Sequence, residues 1–490
     1  MRLWTYGAPP HGKGIAYAEL VSVLDEAGCP ICCLAARGVS RSLDGLSHES
    51  VNDPGVRTEL RAARGFCNFH AWQFVEQVRD GLGTAIIYAD LLEDAVTRLR
   101  MTSTSHTSVR DRLARGWRGR GTGGPARLAG RLAPVAACPA CIVLEQRTRA
   151  QIDTLLAHGD SDEFRGYYTR STGLCLPHLG VALRRGAPAR VARLLCDQAE
   201  QQWRVLNDGQ QHQARTGWAA AVALLIGGRG VTPPRAKGVW LAASGGTLKQ
   251  TGESLPPNAG WLSDCPVCHA GLAAIDRGLL ELIAQIPAAD SEDEGVTPLL
   301  GSICNEHAWQ MLERLAPSDA LAFLQKRGAE AAGRLSDAYG SARTRHDTPL
   351  FRWFSAPGQE ADGGRQPGRT CGVCEVRQAA ERCAAVLSVR MIASDQSDMP
   401  DLCLPHLALV LQSGPPTASG ALLTASVRSL STLRRELRDY IRRQDYHFAG
   451  AQLAGLADAP WRAVARVAGA RGLMGAVPLR GSRRTSEGRC

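Results

Sequence analysis

Cys29-Pro30-Ile31-Cys32 opens a series that Cys67-Asn68-Phe69-His70 completes, with 35 positions from Cys32 to Cys67. The series returns as Cys138-Pro139-Ala140-Cys141 with Cys175 and His178, and as Cys265-Pro266-Val267-Cys268 with Cys304 and His307. It returns last as Cys371-Gly372-Val373-Cys374 with Cys403 and His406, and the later steps are 34, 36 and 29 positions. Twelve of the 16 cysteines belong to it, so spacing carries more information than number.

A longer period lies above the short one. The first and third occurrences share Cys-Asn-x-His-Ala-Trp, at Cys67–Trp72 and Cys304–Trp309. The second and fourth share Leu-Cys-Leu-Pro-His-Leu, at Leu174–Leu179 and Leu402–Leu407. Offsets between the halves agree: 236 from Cys29 to Cys265, 237 from His70 to His307, 236 from Trp117 to Trp353 and 243 from Trp218 to Trp461. Self-similarity of this kind reads as tandem duplication of a two-module unit.

Between the motifs the pattern is helical. Tyr17 to Ala27 places Leu20, Val23, Leu24 and Ala27 on one face, with Gly28 as a C-terminal stop. Asn52 and Asp53 offer an N-cap, Pro54 suits the first helical position, and Gly65 ends the stripe of Val56, Leu60 and Ala63. Leu423, Val427, Leu430, Leu433, Leu437 and Ile441 recur at helical steps in the last module. Gly238 to Ala243 is the one short stretch readable as a strand. The expected fold is all-α: four tandem modules at 1–108, 137–226, 263–356 and 370–471. They are joined by a basic Gly-rich linker (109–136) and by linkers at 227–262 and 357–369, and followed by a basic tail at 472–490.

The chain has 490 residues, 44% hydrophobic and 21% charged, which excludes wholesale disorder and collagen-like order. Its net charge is +10, with seven Arg and one Asp in 110–131 and seven Arg and one Glu in 462–490. The remainder therefore carries about −2, and the folded modules are near neutral. No apolar run reaches membrane-spanning length, and Met1 to Gly14 shows no apolar signal region. The cytoplasm is the expected compartment, where patterned cysteines point to metal or redox chemistry rather than disulfides.

C-x-x-C presents two thiolates from one turn, and C-x-x-H at a helix start adds a third thiolate and an imidazole. Three sulfurs and one nitrogen make the Cys₃His set of a closed zinc site. Read module by module, the four sets are Cys29, Cys32, Cys67, His70; Cys138, Cys141, Cys175, His178; Cys265, Cys268, Cys304, His307; and Cys371, Cys374, Cys403, His406. Zinc is the leading assignment. An iron–sulfur cluster is the alternative, because three thiolates and one weaker ligand also suit four irons. Dithiol redox chemistry lacks its βαβ context. Cys265, Cys268 and His269 spell a haem-attachment motif that the other three occurrences do not share. Cys196 and Cys383 fall in helical patterns as small apolar residues, and the recurring Trp72, Trp309, Trp218 and Trp461 read as core anchors.

Val51-Asn52-Asp53-Pro54, Gly65-Phe66-Cys67-Asn68-Phe69-His70-Ala71-Trp72, Leu402–Leu407 and the closing Asp439–Phe448 region resemble a bacterial family, the domain of unknown function 6062. The resemblance implies a helical protein with repeated metal sites and implies no activity. Gly372 and the short fourth gap depart from its pattern.

No P-loop, G-x-S-x-G, dinucleotide fingerprint or H-E-x-x-H occurs. The leading functional reading is a non-enzymatic, zinc-binding scaffold for a protein partner. The alternatives are an iron–sulfur electron-transfer or sensing protein, and a nucleic-acid binder using structural zinc and the Arg-rich segments.

Overall fold

The computed structural model describes residues 14–104, 129–208, 223–228, 264–284, 303–312, 314, 371–393, 399–445, 447 and 455–473. Seventeen helical segments order the described residues, two of them single turns at 129–132 and 223–226. The first half carries α1 (Ile15–Ser22), α2 (Pro30–Glu49), α3 (Pro54–Ala63), α4 (Asn68–Val78), α5 (Gly81–Thr104), α6 (Pro139–His158), α7 (Asp162–Tyr168), α8 (Leu176–Arg184) and α9 (Ala189–Asp208). The second carries α10 (Pro266–Ala284), α11 (Asn305–Leu312), α12 (Gly372–Ala393), α13 (Leu404–Ser413), α14 (Pro416–Arg443) and α15 (Ala459–Ala468). No strand occurs among the described residues, so the protein is all-α, and Gly238–Ala243 lies outside them.

Local sequence explains most helix ends. Asp53 caps α3, its Oδ1 accepting from Val56 N–H at 2.9 Å, and Pro54 follows at the first position. The stop comes one residue before Gly65: Arg64 already takes a left-handed conformation (φ 59°) and Gly65 continues it (φ 88°). The first helix is shorter than its apolar stripe suggests. α1 ends at Ser22, and Val23 and Leu24 stay buried through turns that reach Gly28 (φ 97°).

Each half is built on an antiparallel pair of helices that start at C-x-x-C motifs. α10 packs on α12, with Gly278 beside Val373 and Gly271 beside Glu381. α2 packs on α6 in the same sense. Tyr17 of α1, the helix before α2, meets His158 at the end of α6 in a tilted ring contact, and Val135, just ahead of α6, donates to Ala62 O of α3, the helix after α2. Antiparallel packing sends the two C-x-x-C motifs of a pair to opposite ends.

The halves meet along α5, which packs on α14 and α15. Leu430, Leu433 and Leu437 of the expected apolar stripe are buried, as are Leu91, Leu92, Ala95 and Leu99 of α5. Gly81 is required by the approach: a Cβ there would collide with the Tyr440 hydroxyl. Arg434 and Arg438 pair with Glu93 at the rim. No helix among the described residues is long and apolar enough to cross a membrane.

Candidate metal centres

All 16 motif residues gather into four groups of four, but not the four groups that the order of the sequence suggests. Site I joins Cys29 and Cys32 to Cys175 and His178, and site II joins Cys67 and His70 to Cys138 and Cys141. Site III joins Cys265 and Cys268 to Cys403 and His406, and site IV joins Cys304 and His307 to Cys371 and Cys374. The module-by-module sets are therefore corrected: each C-x-x-C meets the C-x-x-H of the neighbouring module, and the two modules of a half brace each other. The reason is helix length. From Cys32 the chain leaves along α2 for ~30 Å, and the ten residues of α3 retrace at most ~15 Å. Cys67 thus arrives where the antiparallel partner α6 begins.

Each motif occupies the first turn of a helix, as its spacing requires. Cys29, Cys67, Cys138, Cys175 and Cys403 are N-caps, and none uses its side chain to cap. The sulfur stays available, and the Cys or His three residues on lies on the same side of the turn. Pro30 and Pro139 stand at the first helical position, where a missing N–H costs nothing. Site IV assembles like the others despite Gly372.

The geometry is that of one small tetrahedron per site. In site I, Cys32 Sγ lies 3.7 Å from Cys175 Sγ, and His178 Nδ1 lies 3.5, 3.3 and 3.3 Å from Cys29, Cys32 and Cys175. In site II, Cys67 and Cys141 sulfurs are 3.8 Å apart, and His70 Nδ1 is 3.3, 3.6 and 3.3 Å from Cys67, Cys138 and Cys141. Site III repeats this with 3.6 Å between Cys268 and Cys403 and 3.3 to 3.5 Å to His406 Nδ1. Site IV has 3.8 Å between Cys304 and Cys374 and 3.3 to 3.4 Å to His307 Nδ1. Zinc bonds of ~2.3 Å to sulfur and ~2.0–2.1 Å to nitrogen give tetrahedral edges of ~3.8 and ~3.6 Å. The residues present fit such an ion.

Electrostatics point the same way. Against the cost of burial, hydrogen bonds from Cys175 and Cys32 and the charge of His178 hold the Cys29 thiol well below its usual range. Burial and the Cys29 charge push Cys175 well above it. Hydrogen bonds from Cys138 and Cys141 lower Cys67, while those with Cys138 and Cys67 drive Cys141 up. Burial disfavours a charged His70, yet the Cys67 and Cys138 sulfurs lift it to about 10. Three thiolates cannot all ionise at this separation without a cation, which a divalent ion supplies.

The surroundings differ between sites. Gly228 N–H donates to Cys32 Sγ at 3.2 Å, and Ala470 N–H to Cys268 Sγ at 3.4 Å. These donors belong to two straps, 226–228 and 468–470, that tie the halves together. Asn305 Nδ2 donates to Ile226 O at 2.6 Å and Trp309 Nε1 to Gly227 O at 3.2 Å. Asn68 Nδ2 donates to Ala468 O and Ala470 O, both at 2.8 Å, and Trp72 Nε1 to Gly469 O at 3.1 Å. Trp72 and Trp309 are buried as core anchors, and their indole N–H groups hold the straps as well. Trp461 is half-buried, and Trp218 lies outside the described residues. His406 Nε2 lies 3.6 Å from Glu381 Oε1, itself beside Arg377, while Nε2 of His70, His178 and His307 is buried without a hydrogen-bond partner among the described residues. The motif residues alone gave no sign of Glu381, Gly228 or Ala470.

The remaining cysteines divide. Cys196 is a buried free thiol, as expected, and burial pushes it up to about 12. Cys33 sits half-buried and donates to Glu26, with burial raising it to about 12. Cys383 is disulfide-bonded, which corrects its reading as a free packing thiol.

Over 73 residues the chain is 37% identical to an "Uncharacterized 23.9 kDa protein in xynA 3′ region" of Caldicellulosiruptor sp. (strain Rt8B.4). That match covers 15% of this chain and 35% of the relative, so the chain spans about a third of that protein's length. No solved structure matches. Residues 20–203, which hold sites I and II in full, match the model described as a family of unknown function (DUF6062).

Proposed function

We propose that the protein is a non-enzymatic helical scaffold in which four zinc ions cross-brace successive modules. The observation that supports this best is the donor set: three Sγ and one Nδ1 converge in each site, all within 4.8 Å of one another. Such a set fills a tetrahedron and leaves no position for water or substrate, the mark of structural zinc. A multi-iron cluster binds each ligand to a different iron and needs a wider cage, so single-ion edges weigh against the iron–sulfur reading. The repeated contacts of the two straps, 242 residues apart, support duplication of a two-module unit.

The partner we assign is another protein. Leu280 on α10 and Leu387 on α12 stand exposed on the second half. The nucleic-acid reading loses part of its basis, because Arg462, Arg466 and Arg471 pair with Glu436, Asp401 and Glu76. Metal analysis and a visible spectrum of anaerobically purified protein test the zinc assignment. Four zinc ions and a colourless sample are expected; iron with sulfide and a brown colour would overturn it.

A further inference from the structure

Between sites II and III lies a cavity of about 500 Å³. Its walls are mostly apolar, with Phe66, Leu91, Leu132, Leu404 and Val467 among them, and Cys67, Cys138 and Cys141 of site II face it. Site III reaches the opposite wall through Cys403 and His406, yet its three cysteines are fully buried. Cys67, Cys138 and Cys141 are all half-buried, and the Cys67 and Cys141 sulfurs lie 3.8 Å apart. Cys268 is further shielded by the Ala470 N–H, a bond that withdraws electron density from the sulfur.

We propose that site II is an oxidation site for organic hydroperoxides admitted through this cavity. The proposal rests on the zinc reading above. The Cys67 thiolate attacks the distal peroxide oxygen; the O–O bond breaks, a sulfenic acid forms, and the alkoxide leaves as the alcohol after taking a proton from water. The Cys141 thiolate then attacks the sulfenic sulfur, the disulfide forms, and hydroxide leaves and is protonated. Two thiolates, one hydroperoxide and two protons thus give one disulfide, one alcohol and one water. The peroxide is reduced and the two sulfurs are oxidised. An ion held at site II would be left with only Cys138 and His70 as ligands and would be released. Asn68 and Trp72 share the first turns of α4 with Cys67 and His70 and hold strap 468–470, so loss of the ion loosens the tie between the halves.

The test uses the purified full-length protein, its metal content measured first, and limiting cumene hydroperoxide. Released metal is followed with a chromogenic chelator, and each cysteine by differential alkylation and mass spectrometry. The content before oxidant reports on the zinc reading by itself, and the order of thiol loss reports on this proposal whatever that content is. Cys67 and Cys141 should be lost before any cysteine of sites I and III and recovered as a Cys67–Cys141 disulfide. Ala137→Trp, at the exposed rim of the cavity, should slow that loss severalfold while leaving the initial metal content unchanged. Equal or earlier loss of Cys32 or Cys268, or oxidation indifferent to Ala137→Trp, would overturn the proposal.

Discussion

Sites I and III and sites II and IV use the same four donors in different surroundings. The cysteines of sites I and III are all buried, and each set receives a backbone N–H on one sulfur, at Cys32 and Cys268. Cys67, Cys138 and Cys141 of site II and Cys304 and Cys374 of site IV are half-buried. The donor set decides what can bind, while burial and outer hydrogen bonds decide how firmly it is held and what can reach it. Each strap makes the contrast cooperative. Strap 226–228 is pinned to site I by Cys32 and to the start of α11, beside site IV, by Asn305; strap 468–470 joins site III to the start of α4, beside site II.

The comparison can be broken first by deleting one ligand from each class. Cys32→Ser and Cys67→Ser should each remove one ion, and Cys32→Ser should destabilise more, by upwards of ~4 kcal/mol, since structural zinc contributes on the order of 10 kcal/mol. Melting curves with metal analysis decide it; equal losses would mean that burial does not rank the sites. In addition, Cys67→Ser should destabilise α6 as well as α4, because the ion is shared across modules. Hydrogen exchange confined to α4 would contradict the cross-brace.

A chelator sharpens the same contrast. With excess EDTA, metal should leave in two phases, the faster carrying sites II and IV. A single phase would erase the distinction between open and closed sites.

The straps come next in size. Gly469 has φ 85° and ψ 172°, a region open to glycine almost alone, and Gly227 has φ 81°. Gly469→Ala should cost ~1–3 kcal/mol by strain. Trp72→Phe removes one hydrogen bond to the strap and should cost ~1 kcal/mol. Both are read from denaturant midpoints, and no change in either would show that the strap does not tie the halves.

Glu381→Gln removes the carboxylate facing His406 Nε2 and should weaken metal at site III alone, by about tenfold. Competition with a zinc chelator measures it, and a uniform effect on all four sites would point to general destabilisation. The smallest effect concerns the thiols outside the sites. Cys33 and Cys196, pushed up to about 12, keep about one part in 10⁴ as thiolate at pH 8. Both should resist iodoacetamide in the native protein at that pH and begin to react only as pH climbs toward 12; rapid labelling of either at pH 8 would contradict its burial.

Much of the chemistry was readable from the chain. Helix class followed from the stripes around Leu60 and Leu430, and the residues that gather into the four clusters from their spacing, because both depend on neighbours three or four positions apart. The first helix is shorter than its apolar stripe, since Val23 and Leu24 are buried in turns after Ser22 rather than on a helix face. The shared Asn and Trp of Cys67–Trp72 and Cys304–Trp309 were visible as a signature, but their task of holding the opposite half's strap was not.

By itself the sequence determined which atoms can bind metal and that they come as two-residue half-sites at helix starts, for that is local stereochemistry. Which half-sites meet was decided by tertiary structure alone. A C-x-x-C pair carries no mark of its partner; the length of α2 and the antiparallel packing of α2 on α6 carry Cys67 away from Cys29 and deliver it to Cys138, so the sites form between modules rather than within them.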